Sequence, residues 1–500
     1  MVNKYLKIGI MFLLLLFLSS CTSNEKEKQS AEVLAQIWDA YDTYREPLII
    51  NRFFKHADLQ PLLERHAQSD QFYVELLGHS VQGRSISMIS IGEGEIPVLL
   101  WSQMHGDEST ATMALFDLFN FFQADDAFTV FKQNMLKKIR LHFIPMLNPD
   151  GAEIWRRRNA QDIDINRDAR ALSTPEGQLL KAARERIYPK FGFNLHDQGT
   201  HYTTAFAPEP ASISFLAPAY NHANEINAVR ADAQKLILCM NRTLQVYAPA
   251  KVGRYDDAHE PRSFGDNFQG WGTSTILIES GGYPDDQEKQ YLRKLNFIIL
   301  LAAFEAIAAE SYRKEKLEDY RAIPENSRLL YDLVIRNLEI EREGIRFSTN
   351  LGINRQQIRA EDFRSMASRG QIEEVGDMVH HFGYQDIDAS ALYYVAGKVI
   401  SMKQEAWQAL SPQEEWASIK QGYLFVIIDS GEIKPGPVMH RLQVILNKEE
   451  LLKLQETAAL GSAANFYLAD EAGQLKAVII NGYFHYLDDE LPDQSNTWAY

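Results

Sequence analysis

Val98-Leu99-Leu100-Trp101, an uncharged apolar run, is followed closely by His105-Gly106-Asp107-Glu108. A His and a Glu three residues apart at the mouth of a buried strand are suited to holding a zinc ion. Two more apolar runs end the same way: Phe191-Gly192-Phe193-Asn194-Leu195 meets His196, and Thr275-Ile276-Leu277-Ile278 meets Glu279. Catalytic zinc takes three protein ligands and keeps one position for water, and a nearby carboxylate can act as base toward that water. Taken alone, His105 and Glu108 fit a helix N-terminus with an early-turn acid equally well. The shared placement at strand ends favours one site, because unrelated polar residues have no reason to share it.

Outward from these runs, strands are expected at 86–91, 97–102, 139–145, 191–195 and 274–279, with amphipathic helices at 109–123, 175–188, 224–246 and 285–309. That alternation predicts an α/β fold, an α/β/α sandwich with a mainly parallel mixed sheet. In such sheets ligands gather at the carboxyl ends of strands. A charged stretch at 311–330 reads as a linker. Beyond it, Tyr423 to Ile428, Arg441 to Leu446 and Ala477 to Ile480 are strand-like and separated by Gly and Pro, with a hairpin turn at 469–474. Residues 331–500 therefore read as a smaller β-rich accessory region of unassigned role, with helices expected at 405–420 and 448–458.

The chain has 500 residues, a formal charge of −16 and an ordinary globular composition, 45% apolar and 24% charged. An acidic balance argues against a nucleic-acid partner, which calls for a basic face. Lys4 and Lys7 precede an apolar stretch from Ile8 to Leu18, a secretory signal in form and too short to span a bilayer. Its ending, Leu18-Ser19-Ser20-Cys21, resembles the bacterial lipobox. That resemblance implies a signal peptide over 1–20, a lipid on Cys21 that anchors the chain to the membrane of a bacterial cell envelope, and a tether over 21–30. With Cys21 acylated, Cys239 has no partner for an intramolecular disulfide. Cys239 itself reads as an inert core residue.

His105-x-x-Glu108, a distant third His and a late Glu resemble the pattern of the funnelins, the carboxypeptidase A-like zinc carboxypeptidases. Gly78-His79-Ser80-Val81-Gln82-Gly83-Arg84-Ser85-Ile86, Asn148-Pro149-Asp150-Gly151 and Asp164-Ile165-Asn166-Arg167-Asp168 are similar to further family segments and occur in the family's order. The resemblance covers roughly residues 70–290 and places a catalytic unit within 31–310. It implies one zinc ion held by His105, Glu108 and His196, with Glu279 as general base and a peptide as substrate. It also implies an oxyanion-steadying arginine within Arg156-Arg157-Arg158, where Arg156 fits the family wording best and Arg158 is the rival. Asn166 and Arg167 would bind the substrate carboxylate, and Tyr255 would cap it. Asp197 and Gln198, which follow His196, are candidates to hold its second ring nitrogen or to orient the loop. Where the family often has Glu-Leu-Arg, this chain has Glu279-Ser280-Gly281-Gly282.

The expected activity is hydrolysis of a C-terminal peptide bond. Two alternatives stay open: a zinc amidohydrolase acting on cell-wall peptides or acylated amino acids, and a non-catalytic surface lipoprotein that binds peptides or glycans. The sequence does not assign terminal-residue preference or oligomeric state.

Overall fold

The computed structural model describes residues 28–359, 363, 366–428, 436–438, 440–445, 458–491 and 497–499. It divides into two units: residues up to Thr200 together with Ala211–Asn326, and His201–Pro210 together with Ser327–Tyr500. The signal segment, Cys21 and most of the tether lie outside the described residues. Residues 28–30, assigned to the tether, already begin a helix that runs to 39. Among the described residues no helix is long and apolar enough to cross a membrane.

The first unit is built on an eight-stranded mixed sheet. From edge to edge its strands are Tyr73–His79, Ser85–Ile91, Ile139–Ile144, Ile96–Ser102, Phe191–Asp197, Ser274–Ser280, Ile213–Leu216 and Val252–Arg254. The four central strands run parallel, and the flanking pairs introduce the antiparallel joins. Both faces of the central strands are buried, which explains why they read as unbroken apolar runs rather than as alternation. Val98, Leu100, Phe191, Phe193, Ile276 and Ile278 pack into one core with helices Thr110–Gln123, Ala228–Tyr247 and Gln290–Ala308. Leu99 and Trp101 turn the other way, toward helices Pro175–Ile187 and Phe264–Gly270. Helices thus cover both faces, and the α/β/α expectation holds.

The stretch read as a linker, 311–330, contains the division between the units at Asn326/Ser327, yet part of it is core. Tyr312, Tyr320 and Ile323 are buried in the first unit, on the short 3-10 turns Ser311–Lys314 and Leu317–Ala322 and just after them. The charges of this stretch masked three well-spaced apolar anchors. Within 31–310 the first unit is interrupted, since His201–Pro210 groups with the second unit.

The second unit is β-rich. Long strands Leu330–Arg342, Ile345–Arg359 and Met366–Gly376 form an antiparallel meander. A five-stranded sheet includes Lys398–Met402, Tyr423–Ile428 and Gln443–Ile445. Phe466–Ala469 and Leu475–Ile480 form the expected hairpin. Helices Gln404–Gln408 and Pro412–Lys420 fall where one was expected. The helix expected at 448–458 lies, apart from Ala458, outside the described residues.

Candidate metal centre and active site

Parallel strands with a common direction bring their carboxyl ends to one edge of the sheet, and the register does the rest. His196 stands directly beside Glu279, and Ser102 beside Leu195. Three residues after Ser102 comes His105, and Glu108 follows just before helix Thr110–Gln123. The result is a buried group of His105, Glu108 and His196 whose ligand-type atoms all lie within 4.8 Å of one another.

Both imidazoles turn Nδ1 toward the same carboxylate: His105 Nδ1 lies 2.8 Å from Glu108 Oε1, and His196 Nδ1 2.7 Å from Glu108 Oε2. Burial alone would raise the Glu108 carboxyl. The charges of His105 and then His196 outweigh that and hold it well below the usual range. Burial pulls His105 down, yet the Glu108 charge prevails and pushes it up to about 9. For His196 burial wins, and its imidazole is held below its ordinary value. Two imidazoles and one ionised carboxylate converging at this range are a donor set that fits zinc.

The second ring nitrogen of His105 is 3.0 Å from Asp164 Oδ1. Such outer partners fix ring orientation and tautomer. Asp164 belongs to the Asp-Ile-Asn-Arg-Asp segment, so the motif was legible but this role was not. The corresponding nitrogen of His196 is 3.4 Å from Asn166 Nδ2. Asp197 and Gln198, the expected holders, are engaged elsewhere: Asp197 with Thr110 and Lys289, Gln198 with the Ala211 carbonyl and Ser214. Asp197, the next residue, points to the opposite side of the strand, so of the two roles open to it the contact with the ring nitrogen is not made.

Glu279 is half-buried, and its Oε2 is shielded from solvent with no hydrogen-bond partner among the described residues. Burial first, then the Glu108 charge, pushes its carboxyl well above the ordinary range. Two residues on, Gly281 leaves no room for a side chain: a Cβ there would stand 2.1 Å from the Ala211 carbonyl oxygen.

Of the three arginines the sequence left open, Arg157 lies nearest the His105–Glu108–His196 group. Arg156 faces solvent and pairs with Asp162, and Arg158 donates to the Asp162 carbonyl at 3.0 Å. Arg157 instead enters the site, forking onto Asp164 Oδ2 at 2.9 and 3.1 Å and lying 3.3 Å from Glu108 Oε1. Asn148 Nδ2 pins the Arg157 carbonyl at 3.2 Å, and Trp155 sits in a left-handed turn at φ 49°. Those two constraints, invisible as spacing, choose which arginine turns inward.

Asn166 accepts from the Phe264 amide at 3.0 Å and is buried beside His196. Arg167 pairs with Glu260 at 3.2 Å. Tyr255 directly follows strand Val252–Arg254, its amide donating to the Phe215 carbonyl at 2.8 Å. Of its polar neighbours, Asp257 pairs with Arg230 and His259 with Asp266. His142 bonds Ser90 and His201 pairs with Asp332, as structural histidines would. Cys239 is buried, and burial pushes its thiol up to about 12, in keeping with an inert core residue.

Residues 61–226, the stretch carrying His105, Glu108, His196 and the Asn148 to Asp168 motifs, match the zinc carboxypeptidase family model. Over that segment the chain is similar to zinc carboxypeptidases. Glu279 lies beyond the matched stretch. A plant relative, carboxypeptidase SOL1 of Arabidopsis thaliana, is 35% identical over 98 residues, 18% of this chain and 20% of that one. The chain thus aligns with about a fifth of that relative's length. Similar solved structures include a metallo-carboxypeptidase from Burkholderia cenocepacia, 19% identical over 52% of this chain and 70% of that one with a TM-score of 0.42. Carboxypeptidase A from Helicoverpa armigera is 15% identical over 58% of this chain and 82% of that one, also with a TM-score of 0.42.

Proposed function

We propose that this chain is a zinc metallocarboxypeptidase that removes residues from the C-terminal end of peptides. The observation that carries the reading is the buried His105–Glu108–His196 group with Glu279, its Oε2 shielded and unpartnered, on the neighbouring strand end. Zinc held by the three ligands would supply Lewis-acid polarisation of a carbonyl and acidify water. Glu279 then takes the water proton at its carboxylate and passes it to the leaving amine. Burial raises the proton affinity of that carboxylate, which makes it a stronger base. Arg157, already aimed between Glu108 and Asp164, is placed to steady negative charge developing on the substrate oxygen.

Asn166 and Arg167 take the terminal carboxylate in this reading, Tyr255 closes over it, and Glu260 is the group the incoming carboxylate displaces from Arg167. A guanidinium matches a carboxylate bidentately, so a free C terminus is the expected substrate feature. Paired peptides of one sequence, one with a free C terminus and one amidated, test this. The free form is expected to lose single terminal residues and the amidated form to resist; equal cleavage of both would overturn the carboxypeptidase reading and favour an amidohydrolase.

We further propose that the chain works in a bacterial cell envelope, anchored through a lipid on Cys21. The basic start, short apolar stretch and Leu18-Ser19-Ser20-Cys21 ending support this. Detergent-dependent extraction that Cys21→Ala abolishes is the expected result; unchanged extraction would contradict it.

A further inference from the structure

Lys289 is a lysine whose ammonium is almost fully buried, and it stands in an unfavourable backbone conformation. Its side chain is 5% exposed and its φ is 53°, the left-handed region that residues with a Cβ disfavour. A position required only for its turn would suit glycine, so what Lys289 supplies there is the ammonium. A buried ammonium persists only when it is paired. Its nitrogen lies 3.1 Å from Asp197 Oδ2 and donates to the Ser280 carbonyl at 3.0 Å. Asp197 follows His196, and Ser280 follows Glu279. The Asp197 carboxylate also accepts from Thr110 Oγ1 at 2.6 Å, while the Asp197 amide donates to Glu108 Oε2 at 3.2 Å. One ammonium thus joins the strand end that carries His196, the strand end that carries Glu279, and, through Asp197, the helix start beside Glu108. Asn296, from the helix that Lys289 opens, reinforces the join by donating to Ser280 Oγ at 2.8 Å.

We propose that Lys289 is a positioning residue of the active site, its buried ammonium locking the carboxyl ends of strands Phe191–Asp197 and Ser274–Ser280 so that His196, Glu108 and Glu279 hold one mutual geometry. The assignment of those three residues to ligand and base roles rests on the function proposed above; the brace itself does not. Without the ammonium, Asp197 is left as a buried charge lacking its closest cation, and the two strand ends lose their shared donor.

Lys289→Gly is the informative variant. It suits the left-handed backbone, removes the ammonium and leaves space for a small primary ammonium ion. Zinc affinity by chelator competition and peptide turnover are measured without and with ethylammonium, propylammonium, or tetramethylammonium as a charged control that cannot donate a hydrogen bond. Zinc affinity and kcat are expected to fall about 10- to 100-fold, the range for residues that orient metal ligands, with KM little changed. Ethylammonium or propylammonium is expected to restore both in a saturable manner, and tetramethylammonium to restore neither. Unchanged zinc affinity and turnover would overturn the proposal, and so would a loss that none of the amines reverses, because that is simple structural damage. If the unaltered protein cleaves no peptide, the carboxypeptidase reading fails on its own, and the amine dependence of zinc affinity still decides the role of Lys289.

Discussion

Between Trp155 and Asn159 three arginines stand in a row, and the fold sorts them by the partner each can reach. Only Arg157 forks onto Asp164 and approaches Glu108, while Arg156 and Arg158 stay with Asp162. Arg157→Met is therefore expected to lower kcat by about 100-fold, the scale of a lost oxyanion donor, whereas Arg156→Met leaves steady-state kinetics near those of the unaltered enzyme. The reverse ranking would return the role to Arg156. Another residue-scale effect concerns pH. His66 is fully buried among Phe72, Phe116 and Phe119, and burial pulls its imidazole down to about 4. Above the ordinary histidine range neither folded nor unfolded chain binds this proton. Between about pH 6.5 and about pH 4 the unfolded chain takes it and the folded chain refuses, so stability falls on acidification by at most about 1.4 kcal/mol per pH unit from this group. His66→Phe is expected to flatten that slope in denaturant melts at successive pH values. An unchanged slope would show that His66 does not contribute.

At the scale of elements, the motifs are braces between loops. Asn148 accepts from the Gly151 amide and donates to the Met104 and Arg157 carbonyls, so one side chain holds the loop before His105 and the loop carrying the arginine. Asp150 accepts from Ser80, Gln82 and Arg84, which is why the segment around Gly78 to Ile86 accompanies the Asn148 turn in the sequence. Gly106 lies so close to the Gly151 backbone that an added Cβ would stand 2.1 Å from its carbonyl carbon. Gly106→Ala must push main chain against main chain. It is expected to cost about 3 kcal/mol, at the upper end for overpacking, and to weaken zinc binding, both readable from a thermal melt with and without chelator. A neutral result would mean that the two turns are not locked together. These contacts mark how far the sequence could be read. Central parallel strands buried on both faces announce themselves as apolar runs, so the middle of the sheet and the polar residues at its mouth were legible, whereas the buried four-residue strand Ile213–Leu216 was too short to stand out. The sheet-edge strands Tyr73–His79 and Val252–Arg254 were not legible, being partly exposed or very short. Nor were the inward choice of Arg157, the Asp164 contact to His105, or Lys289, because each depends on a turn or on a neighbour far along the chain.

At the scale of the whole molecule, the first unit carries every residue proposed for chemistry, and the second carries a separate β-rich core. The interruption at His201–Pro210 means that the catalytic unit is not a single continuous stretch that a truncation could isolate cleanly. The charged stretch from Ser311 belongs with the first unit through Tyr312, Tyr320 and Ile323, so domain boundaries here follow apolar anchors and not charge. The central claim is that a zinc ion and Glu279 act together on a C-terminal peptide bond. The measurement that tests it most directly is bound zinc alongside mass spectrometry of a mixed peptide library, for residues 22–500 and for the same chain with Glu279→Gln. About one zinc per chain is expected in both, as a three-ligand catalytic site requires. Loss of single C-terminal residues is expected in the first and a fall of about 100-fold or more in the second, the scale of a lost general base. A protein that binds no zinc, or a Glu279→Gln variant that cleaves as fast as its parent, would contradict the claim.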